Sequence, residues 1–510
     1  MVFQKLFFIF NMIQQLKLNA SPFLKDVFIT TLASFVVTLC MVLTISILAR
    51  SLGPELFGAY SLARRFVGFM FPLTTFGLGI TLTRYLALSI NDESRGKYFH
   101  AATIIYMVVA LFSVLLGIIF HRPLTVIIFR DVAYTKLYYL SLFMLIGISF
   151  YTLLYSYYRG TNRMRMANMW NVLTIGIFPL FISLFSIYCE NLEIIFLLMC
   201  LAFYLTIGPI VLAYRKMKIV FLQIHKIEIK EMLHYSTPRL PGQMFFAGLL
   251  AIGPFCTPYF GSISDAGLMA IGQSIFLVMQ FSVSGFGLVA LPKISEMTAK
   301  GHKFVLEARI NDVLEMVFHC SLFLVVQCFI WSDKIVLIWL GNKYTNAVPI
   351  IQIFLLSLCP YLLYVMLRSV IDAVEVKAYN TLNTFVSLVI AFFVTVILGY
   401  SGWGVLGIAI GSSTGFALLG GLTVVFISRR FNITILKFNN LVAIILNAIF
   451  AAIVLTFKAY LLSNTGLINL LFIMLISVII CLSMYFFVLY RFKVKWIHEL
   501  RKRLGLGCSF

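Results

Sequence analysis

The chain has 510 residues, 62% of them hydrophobic and 11% charged, with a formal net charge of +21 and a mean hydropathy of +1.02. A soluble domain carries about 25% charged residues, so this composition excludes a water-soluble globular protein and leaves no length for a catalytic module outside a bilayer. The nine cysteines show no paired spacing of the metal-binding kind and read as small buried hydrophobes, with no disulfide expected.

Residues 1–26 are expected to form a cytoplasmic amphipathic segment. Their apolar run, Leu6 to Ile13 after Lys5, is too short to span, and no small-residue cleavage site follows it. Fourteen stretches long enough to cross a bilayer then follow, at 27–49, 61–86, 99–120, 137–157, 167–188, 193–214, 233–258, 266–290, 313–331, 347–373, 378–399, 402–428, 438–461 and 466–490. The predicted fold is therefore an all-α polytopic membrane protein. It has a six-helix N-lobe over 27–214, a six-helix C-lobe over 233–428, an appended pair over 438–490 and a basic cytoplasmic tail over 491–510.

With an interior N-terminus, the even-numbered connections and the two tails hold roughly 28 of the 39 lysines and arginines. This bias puts both termini in the cytoplasm and accounts for the net charge as a topology signal, with no nucleic-acid partner needed. The run from Lys493 to Arg503 is expected to lie on anionic headgroups.

Gly53, Gly58, Gly77 and Gly79 recur as Gly261, Gly267, Gly285 and Gly287, about 208 residues later with one residue inserted. That offset equals six spans, an even number, so the two copies share one orientation. A parallel repeat of this kind is one of two arrangements found in transporters that rock one half against the other. Chance recurrence among the 32 glycines is the alternative.

Several motifs in order carry a family resemblance. They are Arg50-Ser51-Leu52-Gly53-Pro54-Glu55-Leu56-Phe57-Gly58 after the first span, Gly77-Leu78-Gly79 with Leu82-Thr83-Arg84-Tyr85-Leu86 in the second, and Tyr158-Arg159-Gly160 after the fourth. Pro238-Arg239-Leu240-Pro241-Gly242 opens the seventh, and Leu291-Pro292-Lys293-Ile294-Ser295 and Trp339-Leu340-Gly341-Asn342-Lys343-Tyr344 come later. Through span count and motif order the whole chain resembles the polysaccharide lipid flippases of O-antigen type. Their superfamily also holds the multidrug and toxic-compound extruders and the peptidoglycan lipid flippases. The resemblance implies movement of an undecaprenyl-pyrophosphate-linked oligosaccharide repeat unit across the bacterial inner membrane. The destination would be O-antigen, capsule or exopolysaccharide. It implies two lobes around a cavity open alternately to each side, and as partners the lipid-linked glycan, membrane lipids and polymerase or ligase components of the same pathway. No cofactor is implied.

Carrying a pyrophosphate through hydrocarbon calls for paired positive charge, and intramembrane cations are candidates by default. Arg64 and Arg65 lie near the outer end of helix 2 and Arg84 near its inner end, about 30 Å away for a continuous helix. Arg84 is assigned to a cytoplasmic mouth with Arg239 and with Lys293, which sits about 209 residues after Arg84 in the second copy. Arg64 and Arg65 would guide the headgroup outward. Equally, cations at helix ends snorkel or serve the topology rule.

Two acidic clusters are candidates for ion coupling: Asp312, Glu315 and His319 on helix 9, and Arg368, Asp372 and Glu375 at the inner end of helix 10. Each is either a proton relay or interfacial salt-bridge structure. The tyrosines around helix 4, namely 138, 139, 151, 155, 157 and 158, either stack on sugar rings or form an aromatic belt. No phosphate-cradling loop and no His-Glu-x-x-His zinc motif occurs. The rivals are an ion-coupled multidrug extruder and, further off, a membrane glycan polymerase or ligase. The edge position of Asp26 in helix 1 argues against the extruder.

Overall fold

A computed structural model of the chain describes residues 22–217, 224–276, 278–280, 303–374, 378–431, 438–461, 467–492, 494 and 496–497. A backbone N–H or C=O left unpaired in hydrocarbon costs several kcal/mol, so apolar runs of this length close their hydrogen bonds within themselves as helices. Among the described residues every regular element is helical. Twelve of these helices are long and apolar enough to cross a membrane. Two of them, Phe28–Thr75 and Tyr379–Phe431, hold two crossings each, divided at Gly53 and at Gly402, which brings the total to the fourteen that the hydropathy predicts.

The expected boundaries shift at two places. Residues 54–60, read as a connection, are helical and continue into the second crossing; Pro54 begins that helix, where its missing N–H is not needed. The second crossing is also not one helix over 61–86. α1 (Pro22–Thr75) stops where the Thr74 and Thr75 hydroxyls turn back onto the Phe71 carbonyl. Phe76 and Gly77 then take left-handed φ of 49° and 66°, and α2 (Leu78–Leu88) starts afresh. A phenylalanine in that region costs about 1–2 kcal/mol, so surrounding packing must hold the break. Of the expected amphipathic segment 1–26, residues 1–21 lie outside the described residues and 22–26 are the start of α1; the second half of span 266–290 also lies outside them.

The helices gather into two compact units. The first holds residues up to Leu52, Phe66–Ile127 and Asp131–Met244. Its helices after α2 are α3 (Asp92–Ile119), α4 (His121–Phe129), α5 (Thr135–Gly160), α6 (Met164–Asn171), α7 (Phe178–Phe185), α8 (Leu192–Tyr204), α9 (Ile207–Met217) and α10 (Lys226–Ser236). α5 is central and packs on α2, α3 and α8. Leu82, Phe99, Leu153, Leu154 and Tyr157 form the heart of this core. A 3₁₀ turn at Thr237–Arg239, carrying Pro238, separates α10 from α11 (Leu240–Phe260). This is the interruption that the Pro238/Pro241 pair predicts.

The second unit holds Gly53–Arg65, Ile128–Arg130 and the chain from Phe245 onward. After α11 come α12 (Ile263–Gln280), α13 (Lys303–Trp339), α14 (Ala347–Val374), α15 (Tyr379–Leu398), α16 (Gly404–Phe431), α17 (Phe438–Leu461) and α18 (Leu467–Arg491). α14 packs against α13 and α16, and Phe276, Phe354, Tyr361 and Phe416 interlock with ring centroids 4.6 to 5.4 Å apart. The appended α17 and α18 lie on α13, burying Phe323, Trp331, Phe450 and Tyr485. Val494, Trp496 and Ile497 join that same core, so the first part of the basic tail is anchored in protein.

Within this unit the two copies of the repeat touch at equivalent residues. A Cβ at Gly58 would run into the Ile263 carbonyl, and one at Gly267 would fall 3.2 Å from the Gly58 Cα. Only glycine allows the backbones this close. Gly58→Ala is expected to destabilise the detergent-purified protein by about 1–3 kcal/mol. Gly68→Ala, in an exposed position with nothing within 4 Å, is expected to leave the thermal midpoint unchanged or raise it. Equal midpoints for the two variants would mean that residues 53–65 do not pack on α12.

Candidate functional site

The break at Phe76 and Gly77 lets α2 lie against α10, and this brings two of the predicted arginines together. Arg84 and Arg239 share Tyr235. The Arg84 guanidinium carbon is 4.5 Å from the ring centroid, with Nη1 donating to the phenol oxygen at 2.9 Å. The Arg239 guanidinium carbon is 3.7 Å from the same centroid, and its Nη1 donates to the Tyr235 carbonyl at 2.6 Å. The proline turn makes this second contact local, because it swings Arg239 back over the last turn of α10.

The surrounding side chains fix the ring without neutralising the cations. Tyr85 meets Tyr235 edge-on at 6.0 Å and stacks on Tyr98 at 4.8 Å. The nearby Glu231 is taken by the Tyr98 hydroxyl, which donates to Oε2 at 2.6 Å. Among the described residues neither Arg84 nor Arg239 has a carboxylate partner, and both are exposed. Each guanidinium offers five N–H donors and here spends one on Tyr235, so the remaining donors face outward as two forks suited to a polyoxygen anion. Like charges on one ring repel, and an anion between them relieves that repulsion.

Arg65 lies in a separate place, in the second unit. Its Nη2 donates to Gln273 Oε1 at 2.6 Å, and Gln273 is almost fully buried. Arg64 is beside it, half-buried. Lys293 and Glu375 lie outside the described residues.

Glu315 is buried and accepts from Asn439 Nδ2 at 3.0 Å. His319, one turn on, is fully buried. Its Nδ1 accepts from the Trp496 indole at 3.2 Å, its Nε2 faces Asn440 Oδ1 at 3.0 Å, and its carbonyl accepts from the Tyr485 hydroxyl. Indole only donates, so Nδ1 carries no proton and Nε2–H donates to Asn440. Histidine in this state is a strut joining α13, α17, α18 and the C-terminal segment. Asp312 is half-buried one turn before Glu315. Arg368 and Asp372 are exposed on α14, where Asn380 Nδ2 bonds the Asp372 carboxylate at 2.7 Å and the Arg368 carbonyl at 2.9 Å.

Of the tyrosines around α5, Tyr138, Tyr157 and Tyr158 are buried in packing; Tyr151 and Tyr155 stack at 5.8 Å, with Arg159 over Tyr155. Sequence reasoning missed Tyr235, Gln273 and Trp496. Gln273 alone carried a signal: it stands 208 residues after Arg65, the register of the glycine repeat.

The family model for "Polysaccharide biosynthesis protein" matches residues 23–298, more than half of the chain. Comparison with curated proteins gave no match. Among solved structures, one described as lipid II flippase MurJ in an inward closed conformation is similar with a TM-score of 0.75 at 14% identity, over 91% of this chain and 99% of that one. An inward-facing multidrug resistance transporter of the MATE family and MOP superfamily aligns with a TM-score of 0.64 at 15% identity, over 78% and 94%. A MOP superfamily transporter from Pyrococcus furiosus gives 0.56 at 13% identity, over 80% and 96%. At such identities these likenesses carry the fold.

The His319 strut makes one stability prediction. His319→Ala removes the acceptor of a buried indole N–H and the bond to Asn440 Oδ1, and should cost about 1–3 kcal/mol. It should also speed the tryptic release of the segment after Arg491. Release at the unaltered rate would show that Trp496 is held by something other than this imidazole.

Proposed function

The chain belongs to the polysaccharide biosynthesis protein family, and on that footing we propose that it flips undecaprenyl-pyrophosphate-linked oligosaccharide repeat units from the cytoplasmic to the outer leaflet of the bacterial inner membrane. Transport would proceed by alternating access between the lobes 27–214 and 233–428, with both termini cytoplasmic. The product would feed O-antigen, capsule or exopolysaccharide assembly.

The observation that supports this reading most is the pair of guanidiniums on Tyr235, which have no carboxylate partner among the described residues. A pyrophosphate bears charge and acceptor oxygens enough to fill both forks, and arginine matches that planar geometry better than lysine. In this proposal Arg84 and Arg239, with Lys293, receive the pyrophosphate at the cytoplasmic mouth, and Arg64 and Arg65 draw it outward while the isoprenoid tail stays in lipid. The glycan then moves through water rather than hydrocarbon, and its hydroxyls keep hydrogen-bond partners.

The second reading, an ion-coupled multidrug extruder, has the MATE-family fold in its favour. An exporter of cationic drugs needs unpaired buried acid. Among the described candidates the buried acid is Glu315, which accepts from the neutral Asn439 amide and stands beside His319 on α13 of the second unit, whereas the arginine pair belongs to the first.

Removing the cluster tests the proposal. Tyr235→Phe deletes one hydrogen bond and keeps the ring, whereas Tyr235→Ala deletes the platform of both arginines. Surface polysaccharide should therefore fall roughly 10- to 100-fold in Arg84→Ala/Arg239→Ala, as expected for losing charge-assisted bonds of about 1.5–3 kcal/mol. The fall should be smaller in Tyr235→Ala and smallest in Tyr235→Phe. Lipid-linked glycan should accumulate facing the cytoplasm at normal protein levels. Wild-type export from the double variant would take the cluster out of the path, and raised drug sensitivity with normal polysaccharide would favour the extruder.

A further inference from the structure

α10 has a second face that the Tyr235 cluster does not use. Lys226, Lys230 and His234 repeat at four-residue spacing along it, and Ile229 and Leu233 lie between them. Together with Thr237 and Pro238 these side chains line an open recess of about 610 Å³. Glu231 and Tyr235 project from the opposite side of the same helix toward Tyr98 and Arg84, so about a helix width separates the recess from that cluster.

We propose that this recess binds the phosphate headgroup of an anionic phospholipid, with Lys226 and Lys230 on the phosphate and an acyl chain laid over Ile229 and Leu233. Four observations support the assignment. The first is depth: α10 runs through the Pro238 turn directly into a crossing, Lys226–Phe260 being continuous enough and apolar enough to span, so α10 sits where that span meets the interface.

The second is charge. Lys226 and Lys230 are exposed, and among the described residues neither has an ion-pair partner. The acids of α10 are engaged elsewhere: Glu231 holds the Tyr98 hydroxyl and Glu228 lies within electrostatic reach of Lys97. Lysines one turn apart bring their ammonium groups within reach of one phosphate.

The third is the floor. Ile229 and Leu233 are partly buried against the core of the unit, so they are fixed apolar walls and not mobile side chains. The fourth is the chain on either side of Lys226, where Ile224 and Ile227 are 64% and 72% exposed. Large apolar side chains left open beside lysines suit an interface and suit water poorly. A soluble anion would use the lysines and leave Ile229 and Leu233 in the recess, and the exposed Ile224 and Ile227 beside it in the chain, without purpose; a phospholipid at an interface accounts for both. Thr237 and Pro238 close one end of the recess and Arg239 follows directly, so an occupied site would also stiffen the turn that aims Arg239 at Tyr235.

The recess does not rest on what the protein transports, and its test is separate from transport. Full-length protein in detergent is titrated with short-chain phosphatidylglycerol, short-chain phosphatidylcholine and inorganic phosphate, and bound adducts are counted by native mass spectrometry. The wild type should retain phosphatidylglycerol roughly 10- to 30-fold better than phosphatidylcholine, as two interfacial lysines would give. Lys226→Gln/Lys230→Gln should bring the two lipids level. Lys226→Arg/Lys230→Arg, monodisperse like the wild type, should restore the preference, and Arg84→Ala/Arg239→Ala should keep it.

Unchanged preference in the glutamine variant would overturn the assignment, as would equal retention of the two lipids by the wild type. Displacement of phosphatidylglycerol by millimolar phosphate would make this a soluble-anion site and overturn the lipid assignment. Loss of the preference only in Arg84→Ala/Arg239→Ala would place the lipid at the Tyr235 cluster instead.

Discussion

Hydrocarbon allows a polypeptide few ways to leave a helix, and the rest of this structure follows from where the chain takes them. Each departure leaves N–H and C=O groups that must find partners. The breaks at Gly53, at Phe76 and Gly77, at Pro238 and at Gly402 each occur at a residue, or beside one, that tolerates or enforces a non-helical backbone. Two of these breaks set up the arginine cluster. Without the step at residue 77, Arg84 would ride on a straight continuation of α1. Without Pro238, Arg239 would sit within a helix and would not fold back over Tyr235. Two interruptions of the helical pattern therefore position an exposed pair of positive charges.

A second constraint comes from duplication. Where two copies of one motif meet, each residue near the local axis faces its own counterpart, as in an isologous interface. Gly58 against Gly267 is such a contact, and the closeness of the backbones there explains why both copies keep glycine. Arg65 against Gln273 is another. The two pairs lie in one unit, their members 209 and 208 residues apart, the one-residue difference being the insertion that the glycine spacing also shows.

What could be read from the sequence divides along physical lines. Crossing segments are written in composition over some twenty residues, and fourteen were countable because burying a charge in lipid is costly enough to leave clear punctuation at Arg95, Arg215 and Arg429. The break at Phe76 left no such mark, since phenylalanine signals helix continuation in an apolar run and only tertiary packing holds it in the left-handed region. Arg84 and Arg239 could be named as cations of one mouth, but Tyr235 could not, because a tyrosine at the end of an interfacial helix reads as a belt residue. Trp496 was hidden for the opposite reason. It stands in a run of lysines and arginines that reads as solvated, yet its indole is the donor that fixes the His319 tautomer.

The asymmetry at Arg65 and Gln273 bears on how a membrane protein keeps a positive field. Two arginines facing each other across a local axis at hydrogen-bond distance would repel by several kcal/mol in a medium of intermediate dielectric. An arginine paired with an aspartate would be stable but nearly fieldless. The amide does neither, because Gln273 solvates the guanidinium through its oxygen and leaves the charge intact. The arrangement leaves Gln273 Nε2 buried without a partner among the described residues. The Ser412 hydroxyl, in the same state, borders the same glycine: a Cβ on Gly253 would come 2.6 Å from Ser412 Oγ and 3.4 Å from Gln273 Nε2. Met269 Cε would stand 2.6 Å from that same Cβ, so the glycine is what lets these side chains close on its backbone. Among the described residues Arg65 is thus held by dipoles alone, and a cation held by dipoles still attracts an anion at a distance, whereas one held by a carboxylate does not.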